Sequence, residues 1–139
     1  MIRSCFSRLC LSVLKNRDQN DSETILYRSR PYERVKKMIS FIVEKYCESV
    51  KITDIASSAN VSESECLRCF QEILRISPKA YLKKYRLKEA AKRLASSSKP
   101  VTQIAYETGF SHMSYFARSF AAEFGCTPVE YRKIQKSEP

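Results

Sequence analysis

Apolar side chains recur every three or four residues along most of the chain, which is the spacing of one face of an α-helix. The first strong example predicts a helix over about residues 31–48, and Pro31 suits its first turn because proline needs no hydrogen-bond partner there. The predicted buried stripe of this helix comprises Val35, Met38, Ile39, Ile42 and Tyr46. Residues 2–16 also form an amphipathic pattern, whereas residues 17–30 are mostly polar without periodicity and are interpreted as a linker.

The middle of the chain contains residues that typically begin and end helices. Thr53 is predicted to cap a short helix that ends near Ser58, and Asn60 supplies the following turn because asparagine tolerates a left-handed backbone. Ser62 is predicted to cap the next helix, with Glu65 completing a capping box. The inward-facing residues predicted in this second helix are Cys66, Cys69, Phe70 and Ile73 or Leu74.

A long helix and a second set of the same signals follow. Pro78 begins a helix predicted over about residues 78–96, and Pro100 prevents its continuation. The predicted apolar contacts of this long helix are Tyr81, Leu82, Tyr85, Leu87, Ala90 and Leu94. The second set comprises a cap at Thr102, a turn at Gly109, a cap at Ser111, a helix through Phe116 and Phe120 to Gly125, and a last helix from Pro128.

The two sets of signals form an internal repeat. Thr53, Ile55, Ala56 and Ser62 recur at an offset of 49 as Thr102, Ile104, Ala105 and Ser111. After one inserted residue the offset becomes 50, in the pairs Arg68/Arg118, Phe70/Phe120, Pro78/Pro128 and Tyr81/Tyr131. Each copy supplies a small residue in its first helix and a turn residue that can take positive φ, which allow two helices to cross closely. The repeat therefore predicts two helix-turn-helix units.

The composition favours an all-α fold and a polyanionic partner. The chain has 139 residues, 43% of them hydrophobic, but only two glycines and five prolines, which argues against a loop-rich β fold. The formal charge is +10, and residues 79–99 hold eight lysines or arginines against one glutamate. We therefore expect double-stranded DNA as the partner. With roughly 6–10 phosphate contacts, affinity would fall about 10³–10⁵-fold between ~50 and ~200 mM salt.

The sequence gives no indication of catalytic or metal chemistry. The six cysteines are scattered and His112 is the one histidine, so the lone pair Cys66 and Cys69 is interpreted as two small core residues on one helix face. Paired carboxylates at a shared site, glycine-rich phosphate loops and nucleophile motifs are missing, so we predict no enzymatic activity, cofactor or metal. No run approaches the ~20 apolar residues of a transmembrane helix. Free cysteines favour a cytoplasmic location.

Candidate DNA-binding residues lie on the second helix of each unit, called here the recognition helix, and at the start of the long helix. In the first unit they are Ser62, Ser64, Leu67 and Arg68. In the second unit they are Ser111, His112, Met113, Ser114, Tyr115, Ala117 and Arg118. On the long helix they are Lys79 and Lys83, which are predicted to reach phosphates.

Two sets of basic residues have more than one interpretation. Arg68 and Arg118 occupy matching positions suited to a bidentate contact with guanine. Alternatively, either arginine pairs with a local carboxylate on the protein surface. Lys84, Lys88 and Lys92 recur every four residues and form either a phosphate-binding row or a solvated face.

Residues 31–135 resemble the DNA-binding domain of the AraC/XylS family of bacterial transcription regulators. The matching motifs are Tyr81-Leu82, Arg86-Leu87 with Ala90, Ile104-Ala105-x-x-x-Gly109-Phe110-Ser111, Tyr115-Phe116-x-Arg118-x-Phe120, Phe124-Gly125, Pro128 and Tyr131-Arg132. The resemblance implies seven helices in two subdomains tied by the long helix, with both recognition helices on one side of an asymmetric DNA operator. It also implies RNA polymerase as a partner and leaves the oligomeric state open.

The resemblance also implies a domain organisation. The DNA-binding domain would cover residues 31–135, with helix-turn-helix units at about 53–75 and 102–125, and residues 136–139 would form a tail. Residues 1–30 are interpreted as a remnant of a regulatory or dimerisation region. Because Leu67 occupies a groove-facing position where a polar residue is expected, we expect the second unit to contribute more specificity than the first.

Two other functions remain open on the sequence alone. A truncated regulator would act as a protein-interaction module without binding an operator. A basic amphipathic protein would bind a membrane surface through residues 2–16 and the basic segment.

Overall fold

The computed structural model describes the backbone of residues 24–137 and the side chains of residues 31–137. Every secondary-structure element in this part of the chain is an α-helix. Its seven helices are α1 (Thr24–Lys45), α2 (Ile52–Ser58), α3 (Glu63–Leu74), α4 (Pro78–Ser96), α5 (Val101–Glu107), α6 (Met113–Phe124) and α7 (Pro128–Ser137). The all-α prediction is confirmed, and the long helix has the bounds that Pro78 and Pro100 predicted. The helix predicted over residues 2–16 lies outside the described residues.

The described chain divides into two compact units, the first formed by residues 24–45 and 50–82. In this unit α1 packs against α2 and α3. The predicted α1 stripe is buried at Val35, Met38, Ile39 and Ile42. Tyr46, also predicted in this stripe, is half-buried and lies beyond the end of the helix. Cys66 and Cys69 are fully buried beside Phe70, as expected for small core residues. The repeated apolar spacing therefore places the first recognition helix, α3, on a core made largely by α1.

The second unit comprises residues 46–49 and 83–137. Its buried core is formed by Leu87, Ala90, Ala91, Leu94, Ile104, Ala105, Phe110, Phe116, Phe120 and Tyr131. The ring of Phe120 lies 5.7 Å from Phe116, 4.4 Å from Phe124 and 5.4 Å from Tyr131, measured between centroids. This aromatic cluster fixes α6, the second recognition helix, against α7.

The bounds of α1 differ from the prediction at both ends. The helix begins at Thr24 with Pro31 inside it, so the later part of the predicted linker is helical. Proline removes one intrahelical hydrogen bond, and the buried stripe that follows Pro31 holds α1 in place regardless. At the other end α1 stops at Lys45 rather than near residue 48. Residues 46–49 belong to the second unit, where Arg86 binds their carbonyl groups.

Several predicted caps are wrong. Thr53 lies inside the first turn of α2, because the carboxylate of Asp54 accepts the Lys51 N–H at 2.9 Å and the helix begins at Ile52. Thr102 lies inside the first turn of α5, which begins directly after Pro100. Proline at this position leaves one fewer backbone N–H group to satisfy.

The caps of the recognition helices differ between the units. Ser62 caps α3 as predicted, since its Oγ accepts the Glu65 N–H at 3.2 Å. Glu65 does not complete a capping box, because its carboxylate binds arginine side chains instead. In the second unit His112, rather than Ser111, occupies the N-cap of α6 and forms no side-chain cap bond.

Candidate nucleic-acid interface

The turns of the two helix-turn-helix units differ by one residue. Residues 59–62 join α2 to α3, whereas residues 108–112 join α5 to α6. Asn60 and Gly109 take positive φ angles of 55° and 98°, as their residue types predicted. The insertion that changes the repeat offset from 49 to 50 therefore lies between Gly109 and the start of α6 at Met113. It lengthens the turn and leaves both recognition helices with 12 residues.

The side chain of Arg86 packs against the turn of the second unit. Its Nε donates to the Tyr46 carbonyl at 2.7 Å and its Nη2 donates to the Glu48 carbonyl at 2.8 Å. Burial lowers the pKa of Arg86, and the two carbonyl groups compensate its charge. The backbone of Gly109 passes so close that a Cβ atom there would lie 2.6 Å from both Arg86 Nε and the Tyr46 oxygen. Sequence reasoning assigned Arg86 no contact, since its partners lie about 40 residues away.

The second recognition helix presents a polar and aromatic outer face. Phe116 and Phe120 are fully buried, whereas Ser114, Tyr115 and Arg118 are exposed. Arg118 forms no hydrogen bond or ion pair with any residue that the structure describes. Its guanidinium is therefore available to a ligand.

The remaining candidates of the second unit fall into two groups. Ser111 and His112 are exposed in the turn that precedes α6. Met113 is half-buried and packs on the apolar core, and Ala117 is half-buried as well. These two residues have less surface to offer a ligand than the sequence suggested.

The first recognition helix has a different outer face. Ser62, Ser64 and Leu67 are exposed as predicted, with Leu67 at 44%. Arg68 is exposed too, but it pairs with two carboxylates, Glu65 three residues before it and Glu72 four residues after it. The second interpretation of Arg68, a local surface pair, therefore describes its state in this structure.

The Glu65 carboxylate is the centre of this arrangement. It accepts from Arg68 and also from Nη1 of Arg34 on α1, at 2.7 Å. The hydrogen bond from Arg68 lowers the pKa of Glu65 to about 2, so the carboxylate is charged at neutral pH. Sequence reasoning gave a local carboxylate as the alternative partner of Arg68 without naming it, although the spacing of Glu65, Arg68 and Glu72 along a helix was sufficient to identify both partners.

The two recognition helices consequently differ in charge. On α3, the residues Glu63, Glu65 and Glu72 outweigh Arg68 and give a net charge of −2. On α6, Glu123 balances Arg118 and the net charge is zero. At the repeat offset of 50, Tyr115 and Ala122 stand where the first unit has Glu65 and Glu72.

Most cations of the basic segment 79–99 have partners within the protein. Lys84 pairs with Glu123 at 3.2 Å, Lys92 pairs with Glu89 at 3.3 Å, and both Arg93 and Lys99 pair with Glu107. Lys88 lies over the ring of Tyr85, with Nζ 5.5 Å from its centroid. The guanidinium of Arg86 lies against the backbone of Gly109. The sequence could not show this, because most of the partner carboxylates lie on other helices.

Lys79 and Lys83 are different. Lys79 is exposed and Lys83 is half-buried, and neither forms a hydrogen bond or ion pair with a described residue. Their spacing of four residues places them on one face of α4. Of the eight basic residues in the segment, these two have the freest ammonium groups within the described chain.

Other kinds of site are not indicated in the described part. Residues 24–137 contain no group of three potential metal ligands. They also contain no helix that is both long and apolar enough to cross a membrane.

Comparison with known proteins identifies the type of domain. A family model described as a helix-turn-helix domain matches residues 55–134. The chain is 34% identical over 101 residues to the uncharacterized HTH-type transcriptional regulator YdeC of Bacillus subtilis, an alignment that covers 73% of this chain and 35% of that protein. The chain thus spans about a third of the length of that relative.

Two solved structures share the fold. A transcriptional regulator with an AraC-type DNA-binding domain from Chromobacterium violaceum matches with a TM-score of 0.72 and 27% identity, over 77% of this chain and 96% of that one. The DNA-binding domain of the global transcriptional factor AdpA, solved in complex with a target DNA, matches with a TM-score of 0.70. Its identity is 22%, over 73% of this chain and 92% of that one, so it supports the fold alone.

Proposed function

The chain belongs to the family of AraC-type helix-turn-helix DNA-binding domains, and we therefore propose that it is a sequence-specific regulator of transcription that binds double-stranded DNA. One protomer inserts α3 and α6 into successive segments of the major groove. The family is one of DNA-binding domains rather than an enzyme class.

The observation that carries this proposal is the repeated geometry of the two units. Each unit has a residue with positive φ in its turn, Asn60 or Gly109, followed by a 12-residue helix that is anchored on Phe70 or Phe120. Each of these helices leaves exposed polar residues near its amino-terminal end, which is the part of a recognition helix that contacts base edges. A basic amphipathic protein that binds a membrane surface would not need two such helices in register.

The residues that we propose to contact DNA fall into two groups. Base contacts come from Ser64, Leu67 and Arg68 on α3 and from Ser114, Tyr115 and Arg118 on α6, with Leu67 offering only an apolar contact such as one to a thymine methyl group. Phosphate contacts come from Ser62, Ser111, His112, Lys79 and Lys83. The half-buried Met113 and Ala117 contribute to the shape of the surface.

Selection of binding sites from random duplexes tests the proposal. We expect an asymmetric site made of two unlike elements about 10 base pairs apart, because two successive major-groove segments on one side of DNA are one helical turn apart. Mobility shifts with the selected and scrambled duplexes then give the specificity ratio. Equal affinity for both duplexes would contradict the proposal and favour a protein-interaction module.

Two further assays address the partners. Flotation with anionic liposomes tests the membrane-surface alternative, and we expect the protein to remain unbound under conditions in which it shifts the selected DNA. The family resemblance extends the proposal to RNA polymerase as a partner. Transcription in vitro from a promoter that carries the selected site should therefore depend on the protein, and an unchanged transcript level would remove this part of the proposal.

A further inference from the structure

The Arg68 side chain is fixed by two carboxylates of its own helix. Its Nε and Nη2 donate to the two carboxylate oxygens of Glu65 at 2.9 and 2.5 Å, and its Nη1 donates to Glu72 at 3.2 Å. Arg34 holds Glu65 in turn from α1. These three hydrogen bonds use three of the five N–H groups of the guanidinium. Two N–H groups remain to donate outward, and the Arg68 side chain is still 57% exposed.

A fixed guanidinium and a free one act differently at DNA. A free cation can bind phosphate in many geometries and adds affinity that does not depend on sequence. Reading guanine requires two N–H groups aimed at one base edge, and neighbouring groups that lock a side chain improve that aim. The charge of Arg68 is compensated by Glu65 and Glu72, while its side chain remains largely exposed.

We propose that Glu65 is a positioning residue of the DNA interface, which converts Arg68 from a phosphate-binding cation into a base-reading group. The first recognition helix then contributes discrimination between bases more than affinity. The net charge of −2 on α3 acts in the same direction, since it disfavours contact with phosphates. This inference rests on the proposed function.

The second recognition helix lacks the corresponding carboxylates and serves as a comparison within the same chain. Tyr115 and Ala122 replace the two carboxylates at the repeat offset of 50. Arg118 accordingly has no hydrogen-bonding partner among the residues that the structure describes. Substituting Glu65 should therefore make the first recognition helix behave more like the second.

The test measures selectivity at one base pair with the full chain and the selected duplex. Arg68→Ala first identifies the base pair that Arg68 reads, as the position where this variant loses discrimination. Glu65→Gln keeps the side-chain volume but offers one neutral acceptor in place of a bidentate carboxylate. We expect it to lower discrimination at that base pair roughly fivefold or more. Affinity for random duplexes should rise about two- to fivefold, because Arg68 becomes free to bind phosphate.

Two control variants separate positioning from charge and from stability. Glu63→Gln makes the same charge change on the same helix, at an exposed residue that does not contact Arg68. Arg34→Gln removes the contact of Glu65 with α1 but leaves its contacts with Arg68 in place. We expect Glu63→Gln to keep the discrimination at the Arg68 base pair, and Arg34→Gln to lower it less than Glu65→Gln does. If circular dichroism shows that Glu65→Gln does not fold, Glu72→Gln is measured in its place. This variant weakens the hydrogen bond that Arg68 Nη1 donates to Glu72.

The outcomes are distinguishable. Unchanged discrimination in Glu65→Gln, an equal loss in Glu63→Gln, or no base pair that responds to Arg68→Ala would each overturn the inference while leaving the proposed function intact. Wild-type protein that prefers no sequence at all would instead refute the proposed function.

Discussion

Replacement of Gly109 by alanine should be far more costly than replacement of Gly125, although both glycines have positive φ. Gly109 has a φ of +98°, and its added Cβ would lie 2.6 Å from Arg86 Nε and from the carbonyl oxygen of Tyr46. Gly125 has a φ of +75°, and nothing lies within 4 Å of the atom that would be added. Comparing the stability of the two alanine variants therefore distinguishes the cost of backbone strain from the cost of steric conflict.

The expected magnitudes follow from these contacts. Gly125→Ala carries only the strain of a left-handed residue, about 1–2 kcal/mol. Gly109→Ala carries backbone strain on the order of 1–3 kcal/mol. In addition Arg86 must move and give up its charged hydrogen bond to Tyr46, which costs about 1.5–3 kcal/mol. The total for Gly109→Ala is about 3–6 kcal/mol.

Urea unfolding followed by far-ultraviolet circular dichroism measures both variants against the wild type. We expect the free energy of unfolding to fall about 1.5–3 kcal/mol further for Gly109→Ala than for Gly125→Ala, which is the cost of the hydrogen bond that Arg86 loses. Arg86→Ala provides a third measurement, since it removes the hydrogen bonds of Arg86 to the Tyr46 and Glu48 carbonyl groups without backbone strain. Equal losses for the two glycine variants would refute the idea that close approach to Arg86 and Tyr46 dictates the residue at position 109.

Three further predictions concern DNA binding. Arg118→Ala should cost on the order of 1–3 kcal/mol and relax selectivity at one base pair, whereas an equal loss on selected and random duplexes in mobility shifts would show a phosphate contact. Lys79→Gln and Lys83→Gln should each reduce the slope of log affinity against log salt by about 0.9. Lys92→Gln, a control whose lysine already pairs with Glu89, should change that slope less, and equal changes would contradict the assignment. Deletion of residues 1–23 should leave DNA affinity and helical content per residue nearly unchanged, and reduce any dimerisation seen by sedimentation; lost binding would place that segment in the domain.

The repeat made much of the fold predictable from the sequence. Positions with strict local requirements were assigned correctly, such as the positive φ of Asn60 and Gly109 and the proline at the start of α4. The buried residues of α1 also followed from their spacing. These features depend on interactions within one turn or one helix, which a local pattern of residues records directly.

Features that depend on distant parts of the chain were not predictable. Residues 46–49, which follow the end of α1, belong to the second unit, where Arg86, about 40 residues further along, binds the Tyr46 carbonyl group. The basic segment gave a similar difficulty, since Lys84 and Arg93 are paired with Glu123 and Glu107 on other helices. Net charge over a window of sequence counts such lysines and arginines as free cations. Lys79 and Lys83 form no hydrogen bond or ion pair with a described residue, and for this reason we propose them for phosphate contact.

The paired state of Arg68 also bears on why the two units need not contribute equally to binding. A duplicated unit would double the phosphate contacts if both copies kept the same outer face, and affinity for random DNA would then rise along with affinity for the operator. A regulator gains from the ratio of these two affinities rather than from either alone. We expect the carboxylates on α3 to limit affinity for random DNA. We expect Arg118 on α6, which has no hydrogen-bonding partner within residues 24–137, to raise affinity for the operator. The charge difference between α3 and α6 therefore favours a division of labour within one protomer, in which α6 supplies affinity with specificity and α3 rejects incorrect sites.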